Sequence, residues 1–213
     1  MKNKIAIYGA GGLGREVLSM LNALPDWEMV GFYDDGKVKG DEVGGLMVLG
    51  AMAELIQVKV DIQVVVAIGS PKIKKRLVEQ LISNPFIHFP TLIHPRALIQ
   101  DTTSVNIGRG SIITAGVILT TGIIIHTHVL VNLNCTVGHG VQVGDFSSIM
   151  PGANIAGDVK MGEAVLIGSG ANVLNGIHIG NQSRVGAGAV VTKDVQQNMT
   201  VVGVPAKPLN SNA

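Results

Sequence analysis

From Ile107 to Val191 an aliphatic residue returns at every sixth position without a break: Ile107, Ile113, Leu119, Ile125, Val131, Val137, Val143, Ile149, Ile155, Met161, Ile167, Val173, Ile179, Val185 and Val191. Average composition would make such a position apolar of any kind only about half the time. Two residues before each lies a second, smaller position, running from Val105, Ser111 and Val117 through Cys135 and Ser147 to Ser183 and Ala189. A period of six fits neither a helix nor a flat sheet over this length and marks a parallel β-helix. Three short strands close one triangular coil of eighteen residues, and coils stack about 4.8 Å apart with their backbones paired. The aliphatic side chain points inward and the small one lets the chain turn. Five coils follow from the unbroken run, with two looser ones from Ala97. Glycine recurs directly after the aliphatic position, as at Gly108, Gly138 and Gly144, where unusual backbone angles at the corners are expected. Spacing alone leaves the hand of the coil open.

The first ninety residues have another rhythm. Apolar strands are predicted at Lys4 to Tyr8, Trp27 to Tyr33, Gly44 to Leu49 and Val60 to Ile68. Helical patterns fall between and after them, at Arg15 to Leu24 (ended by Pro25), Ala51 to Gln57 and Ile73 to Ile82. That alternation predicts a small parallel sheet, an incomplete doubly wound, Rossmann-like unit. The expected organisation is an α/β domain over residues 1–92 and an all-β parallel β-helix with an extended tail over residues 93–213.

Charge and composition narrow the classes. The net charge is +1 and no basic run or basic face interleaved with aromatics is present, which argues against nucleic acid as a partner. A single cysteine excludes an internal disulfide framework, and Cys135 occupies an inward corner position. The opening MKNKIAIYGAGG has too short an apolar run for a signal peptide. No apolar segment approaches the roughly 20 residues that a membrane span needs. Cytoplasmic localisation is the expectation.

Gly9, Gly11 and Gly14 form G-x-G-x-x-G between a strand and a helix, with Asp34 and Asp35 closing the next strand. Bare amides at a helix start suit phosphate. The domain is about half a full dinucleotide fold, so a nucleotide-sugar pyrophosphate fits as well as NAD. Among the histidines, His126 and His128 straddle a corner and diverge, with no third histidine eighteen residues away, so no metal is expected. His139 lies outward on a coil in NLNCTVGHGVQVGDF, and eighteen-residue arithmetic puts Gly157 directly above it. An imidazole beside a glycine amide supplies a base and an oxyanion donor, the two parts that acyl transfer to a nucleophile needs.

The segments IYGAGGLGREV, FYDD, VAIGSPKIKKRL, LIHPRALI, NLNCTVGHGVQVGDF, GANIAGDVKMG and VGVPAK occur in this order over nearly the whole chain. Together they resemble the NeuD-type sugar O-/N-acetyltransferases, which include enzymes that acetylate UDP-4-amino-sugars in bacterial glycan biosynthesis. The resemblance implies a left-handed β-helix, a homotrimer with active sites between subunits, and acetyl-CoA as donor. On its motifs His139 matches the general base, Asn132 an asparagine reaching the site from the neighbouring subunit, and Gly157 the glycine whose amide steadies the thioester oxygen. Gly11, Gly12, Leu13, Asp34, Asp35 and Gly69 match the nucleotide-sugar site. Ser148, Ser169, Ala187 and Lys207, together with Gly157, fall where relatives contact coenzyme A. Two positions depart from the pattern. Relatives usually carry Glu or Asp directly after the histidine, where this chain has Gly140, so either another acid (Asp145, or one from the adjacent subunit) orients the ring or His139 is a weaker base. Ser148 stands where some relatives have a second histidine.

The leading reading is acetyl transfer from acetyl-CoA to the amine of a nucleotide-activated amino sugar, UDP-linked by the resemblance, with His139 as base. O-acetylation of a sugar hydroxyl, as on a sialic acid, is the nearest alternative, and Gly140 weighs against it because a hydroxyl needs a stronger base. A non-catalytic trimer that binds nucleotide-sugars is a second alternative, and an NAD-dependent reading rests on the glycine motif alone. Exposed aliphatics such as Ile124 and Leu130 are candidates to fill a subunit interface.

Overall fold

Alternating apolar strands and amphipathic helices in the N-terminal part fold into a six-stranded sheet. In the computed structural model, which describes residues 3–209, its elements are β1 (Asn3–Tyr8), α1 (Gly12–Asn22), β2 (Trp27–Tyr33), β3 (Glu42–Val43), β4 (Leu46–Gly50), α2 (Met52–Leu55), β5 (Ile62–Val66), α3 (Pro71–Leu81) and β6 (Ile87–His88). The sheet order is β3-β4-β2-β1-β5-β6, parallel throughout except for the β3–β4 hairpin, which the periodicity did not announce. Ile5, Ile7, Phe32 and Val64 from the strands, with Val17 and Leu21 of α1, are fully buried. Helix α1 begins three residues earlier than its apolar pattern, inside the glycine motif, with the Arg15 N–H donating to the Gly11 carbonyl. Because β1 lies between β2 and β5, the chain reverses its direction of travel across the sheet at β1. The crevice beyond the carboxyl ends of the strands opens at that reversal.

Two compact units divide the chain, residues 1–69 with 73–90, and residues 70–72 with 91–213. Residues 1–2 and 210–213 of the two expected domains lie outside the described residues.

The second unit is a β-helix of two-residue strands on three faces. The first face stacks Leu92–Ile93, Ile112–Ile113, Leu130–Val131, Ser148–Ile149, Leu166–Ile167, Arg184–Val185 and Thr200–Val202, and closes with Lys207–Pro208 as an antiparallel hairpin. The second face runs from Leu98–Ile99 through Thr136–Val137 and Asn154–Ile155 to Val190–Val191, and the third from Asn106–Ile107 to His178–Ile179. Of the fifteen aliphatic hexad positions every one but Ile107 is buried, at 4 % exposure or less. Each such side chain contributes about 1.5–3 kcal/mol by leaving water. The solenoid starts at Leu92, ahead of the expected Ala97, and its period breaks at both ends. Leu92 pairs with Ile112 and Leu98 with Ile118, twenty residues on, whereas Asn106 pairs with Ile124, eighteen on. The two extra residues fall in the corner after Ile99, which Asp101 ties together by accepting from Thr103 Oγ1 at 2.6 Å, Ser104 Oγ at 2.5 Å and Thr121 Oγ1 at 2.8 Å. Those hydroxyls hold the Asp101 carboxyl well below the usual carboxylate range.

The glycines after the aliphatic positions serve a different purpose from the one expected. The left-handed residue of each corner comes two places later, at Gly140 (φ +67°), Asp158 (φ +60°) and their equivalents. Gly138 has no positive φ; its place requires glycine because a Cβ would lie 2.7 Å from the backbone nitrogen of Gly157 on the next coil. Close stacking of coils, not backbone angle, selects these glycines.

Three of the small inward positions are serines, Ser111, Ser147 and Ser183, all with no exposed surface. Ser147 Oγ accepts from the Val165 N–H at 3.0 Å and donates to the Gly162 carbonyl at 3.0 Å, so one hydroxyl links its own coil to the next. Ser147→Ala takes this partner from the buried Val165 N–H and from the part-buried Gly162 carbonyl. The expected loss is about 1–3 kcal/mol of unfolding free energy, read as a lower urea midpoint at unchanged slope.

Candidate active site

Parallel neighbours end on the same edge of a sheet, so the segments after β1, β2 and β5 meet in the N-terminal unit. Gly9 to Leu13 follow β1, Asp34 and Asp35 follow β2, and Gly69 comes three residues after β5. The Ala10 N–H donates to Asp34 Oδ2 at 2.7 Å, and the Gly36 N–H donates to Asp34 Oδ1 at 2.8 Å. Asp35 takes the Tyr8 hydroxyl at 2.7 Å and the Met52 N–H at 2.9 Å. Both acids therefore brace the glycine loop and the start of α2, a role the sequence did not disclose. Burial, then the bond to Asp35, pushes the Tyr8 phenol well above its ordinary value, so it stays a donor. Gly11 and Gly12 are exposed, and a Cβ on either would meet nothing. Helix α1 carries no side-chain cap and no acid in its first turn, leaving bare N–H groups and the positive end of the helix facing solvent beside half-buried Leu13. Gly14 is required for a different reason, since its Cβ would run into the Gly9 carbonyl.

The β-helix carries the second cluster on the corner between its second and third faces. His139 follows Thr136–Val137 there and Gly157 follows Asn154–Ile155, one coil on. The Asp158 N–H donates to the His139 carbonyl at 2.8 Å, fixing the two coils in register. His139 is exposed over 61 % of its side chain. Its ring lies over Gly157, so that a Cβ on Gly157 would overlap Cε1 and Nε2. Gly157 is buried beneath it. Residues two places after each inward aliphatic have no carbonyl of a neighbouring coil to reach. The N–H of Thr127 is satisfied by Asp145 Oδ1 and that of Glu163 by Asn181 Oδ1, but that of Gly157 has no acceptor among the described residues. A ring nitrogen and a spare amide thus occupy one corner.

Residues 4–81 match the PglD N-terminal domain family, residues 96–121 the hexapeptide repeat of succinyl-transferase, and residues 158–193 the bacterial transferase hexapeptide (six repeats). GDP-perosamine N-acetyltransferase of Escherichia coli O157:H7 is 34% identical over 163 residues, 74% of this chain and 72% of that protein. The acetyltransferase domain of PglB from Neisseria gonorrhoeae FA1090, solved in complex with acetyl coenzyme A, superposes with a TM-score of 0.90 at 35% identity, covering 98% of this chain and all of that one. This chain belongs to the PglD-like sugar N-acetyltransferase family. UDP-N-acetylbacillosamine N-acetyltransferase of Bacillus subtilis (strain 168) is 36% identical over 118 residues, 54% of this chain, a match that spans about half (52%) of that protein's length.

The remaining expected residues of this PglD-like chain are dispersed. Asn132 is buried after Leu130–Val131, with its Oδ1 accepting the Leu133 N–H at 2.8 Å. It lies on the corner between the first and second faces, as do exposed Ser169 and Ala187, eighteen residues apart. Lys207 is exposed on the closing hairpin, where it pairs with Val202. Ser148 is fully buried on the first face. Within one chain, then, Asn132, Ser169 and Ala187 occupy one corner and His139 with Gly157 the next.

Two expectations about these residues need correction. Asp145 does not face His139; its Oδ1 accepts the N–H and hydroxyl of Thr127 at 2.8 and 2.7 Å. Leu130 is no exposed aliphatic, having 1 % of its surface free, whereas Ile124 keeps 38 %. His128 is buried and stacks on Phe146 with ring centroids 5.4 Å apart, while His126 points to solvent. Among the described residues no group of three His, Cys, Asp or Glu side chains is placed to hold a metal. Cys135 is buried, with its thiol pushed up to about 11 by burial, which removes thiolate chemistry at neutral pH. No helix of the described residues is long and apolar enough to cross a membrane.

Proposed function

We propose that this protein transfers the acetyl group of acetyl-CoA to the amine of a nucleotide-activated amino sugar. The observation that carries it is the His139 ring seated over Gly157, whose amide has no acceptor among the described residues. The sugar amine attacks the thioester carbonyl carbon and His139 takes the proton it loses. The Gly157 N–H donates to the oxygen as negative charge gathers on it. Collapse of the tetrahedral intermediate expels the coenzyme A thiolate, which the imidazolium protonates, leaving the N-acetyl sugar. In this reading residues 1–92 form the nucleotide-sugar-binding domain and residues 93–213 the acyltransferase domain. Gly11, Gly12 and Leu13 offer amides to the diphosphate, with Asp34, Asp35 and Gly69 shaping the rest of that pocket.

Asn132, Ser169, Ala187 and Lys207 enter the same site from another subunit. Asn132 and His139 occupy different corners of one prism, and a threefold assembly brings one copy's first corner against its neighbour's second. Ser169, Ala187 and Lys207 are assigned to coenzyme A, fully buried Ser148 is not, and partly exposed Ile124 is assigned to the subunit interface. The enzyme works as a cytoplasmic homotrimer without metal.

The test is release of free thiol from acetyl-CoA against a panel of UDP-, GDP- and CMP-linked sugars. Thiol release is expected with a nucleotide-linked amino sugar and not with its hydroxyl counterpart. Release with CMP-sialic acid alone would replace the amine with a hydroxyl acceptor, and no release with any member would leave only binding.

A further inference from the structure

A carboxylate is missing where His139 needs one, since the next residue is Gly140. The stacking of coils shows where it has gone. Gly140 and Asp158 are equivalent positions on successive coils, both in the left-handed region, at φ +67° and φ +60°. A Cβ built on Gly140 would collide with Asp158 Oδ1. The space that an acidic side chain at position 140 would enter is already filled by the carboxylate of position 158. Asp158 Oδ2 stands 3.7 Å from His139 Nδ1. That is ion-pair distance, longer than a hydrogen bond, but catalytic contacts commonly tighten only once substrate is bound. Asp158 is free to close the gap because 67 % of its side chain is exposed, while its backbone N–H is pinned to the His139 carbonyl.

We propose that Asp158 is the positioning residue for His139, a carboxylate supplied by the next coil in place of one at position 140. This rests on His139 being the base. A carboxylate beside Nδ1 keeps the proton there and leaves the lone pair on Nε2. Nε2 is also the atom whose edge covers Gly157, so the basic nitrogen and the oxyanion donor face the same thioester. The left-handed backbone at position 158 asks only for a residue tolerant of positive φ, and Asn meets that demand as well as Asp does. Substitution by Asn therefore removes the charge and leaves the turn.

The experiment measures turnover and both Michaelis constants for wild type, His139→Ala, Asp158→Asn, Asp158→Gly and the double variant Gly140→Asp with Asp158→Gly. Asp158→Asn is expected to lose roughly tenfold or more in kcat, since the imidazole is no longer held in one tautomer, with either KM changed less than about twofold. The double variant returns a carboxylate to the ring from position 140 and is expected to recover most of the loss seen in Asp158→Gly. Full turnover in Asp158→Asn while His139→Ala is inactive overturns this inference and leaves the base in place. Full turnover in His139→Ala overturns both. A double variant that keeps the wild-type Tm without recovering activity also counts against the inference. An independent measurement needs no variant to fold: ¹⁵N spectra of the wild-type imidazole should show the Nδ1–H tautomer, and an Nε2–H ring would overturn the proposal.

Discussion

His139→Ala lowers turnover by about two to four orders of magnitude, the range general-base removal commonly costs, while acetyl-CoA binds as before. The ring contributes little to the fold, because most of its surface faces solvent and it follows a backbone pinned by the Asp158 N–H. The melting temperature should therefore stay near that of wild type. In the proposed mechanism truncation removes the acceptor for the amine's proton at the moment of attack and leaves the Gly157 amide in place. Thiol release measured beside calorimetric titration with coenzyme A separates the two effects. Turnover within a few-fold of wild type would take His139 out of the chemistry. Loss of coenzyme binding in proportion to loss of rate would make it a binding residue.

Gly157→Ala ranks second. The new methyl group would occupy the place of Cε1 and Nε2 of His139, and the ring is the side that yields, being exposed and able to rotate about its own χ angles. The fold is disturbed little, but the base swings away from the position the thioester carbonyl approaches. A displacement of about 1 Å at a reacting group is enough for roughly a hundredfold loss, so kcat should fall at least that far with a small change in Tm. Retained kcat would show that the imidazole does not need its seat over this residue.

Much of this molecule is legible along the chain. Alternating elements with a Gly9-Gly11-Gly14 turn define the N-terminal sheet, and the six-residue period defines the solenoid, because one inward side chain per short strand leaves its mark whatever lies around it. The same arithmetic places Gly157 beside His139. It fails where neighbours decide. Asp34 and Asp35 stand out along the chain only as acids closing a strand, and the bonds each accepts from backbone N–H groups of other segments appear only in the fold. Leu130 and Ile124 occupy the same place in the hexad, yet only Leu130 is covered. Gly138 reads as a residue of unusual angles and is instead one of close approach.

The amino-acid sequence by itself determined the repeat, the buried faces and the histidine's place on a corner, since these depend on residues six and eighteen apart in a regular stack. Only the tertiary structure decided which acid stands beside that histidine. Asp158 stands nineteen positions away along the chain, but the coil-to-coil bond from its N–H to the His139 carbonyl makes it a neighbour. Its carboxylate occupies the space beside Gly140, so the residue types at the two positions cannot be read independently.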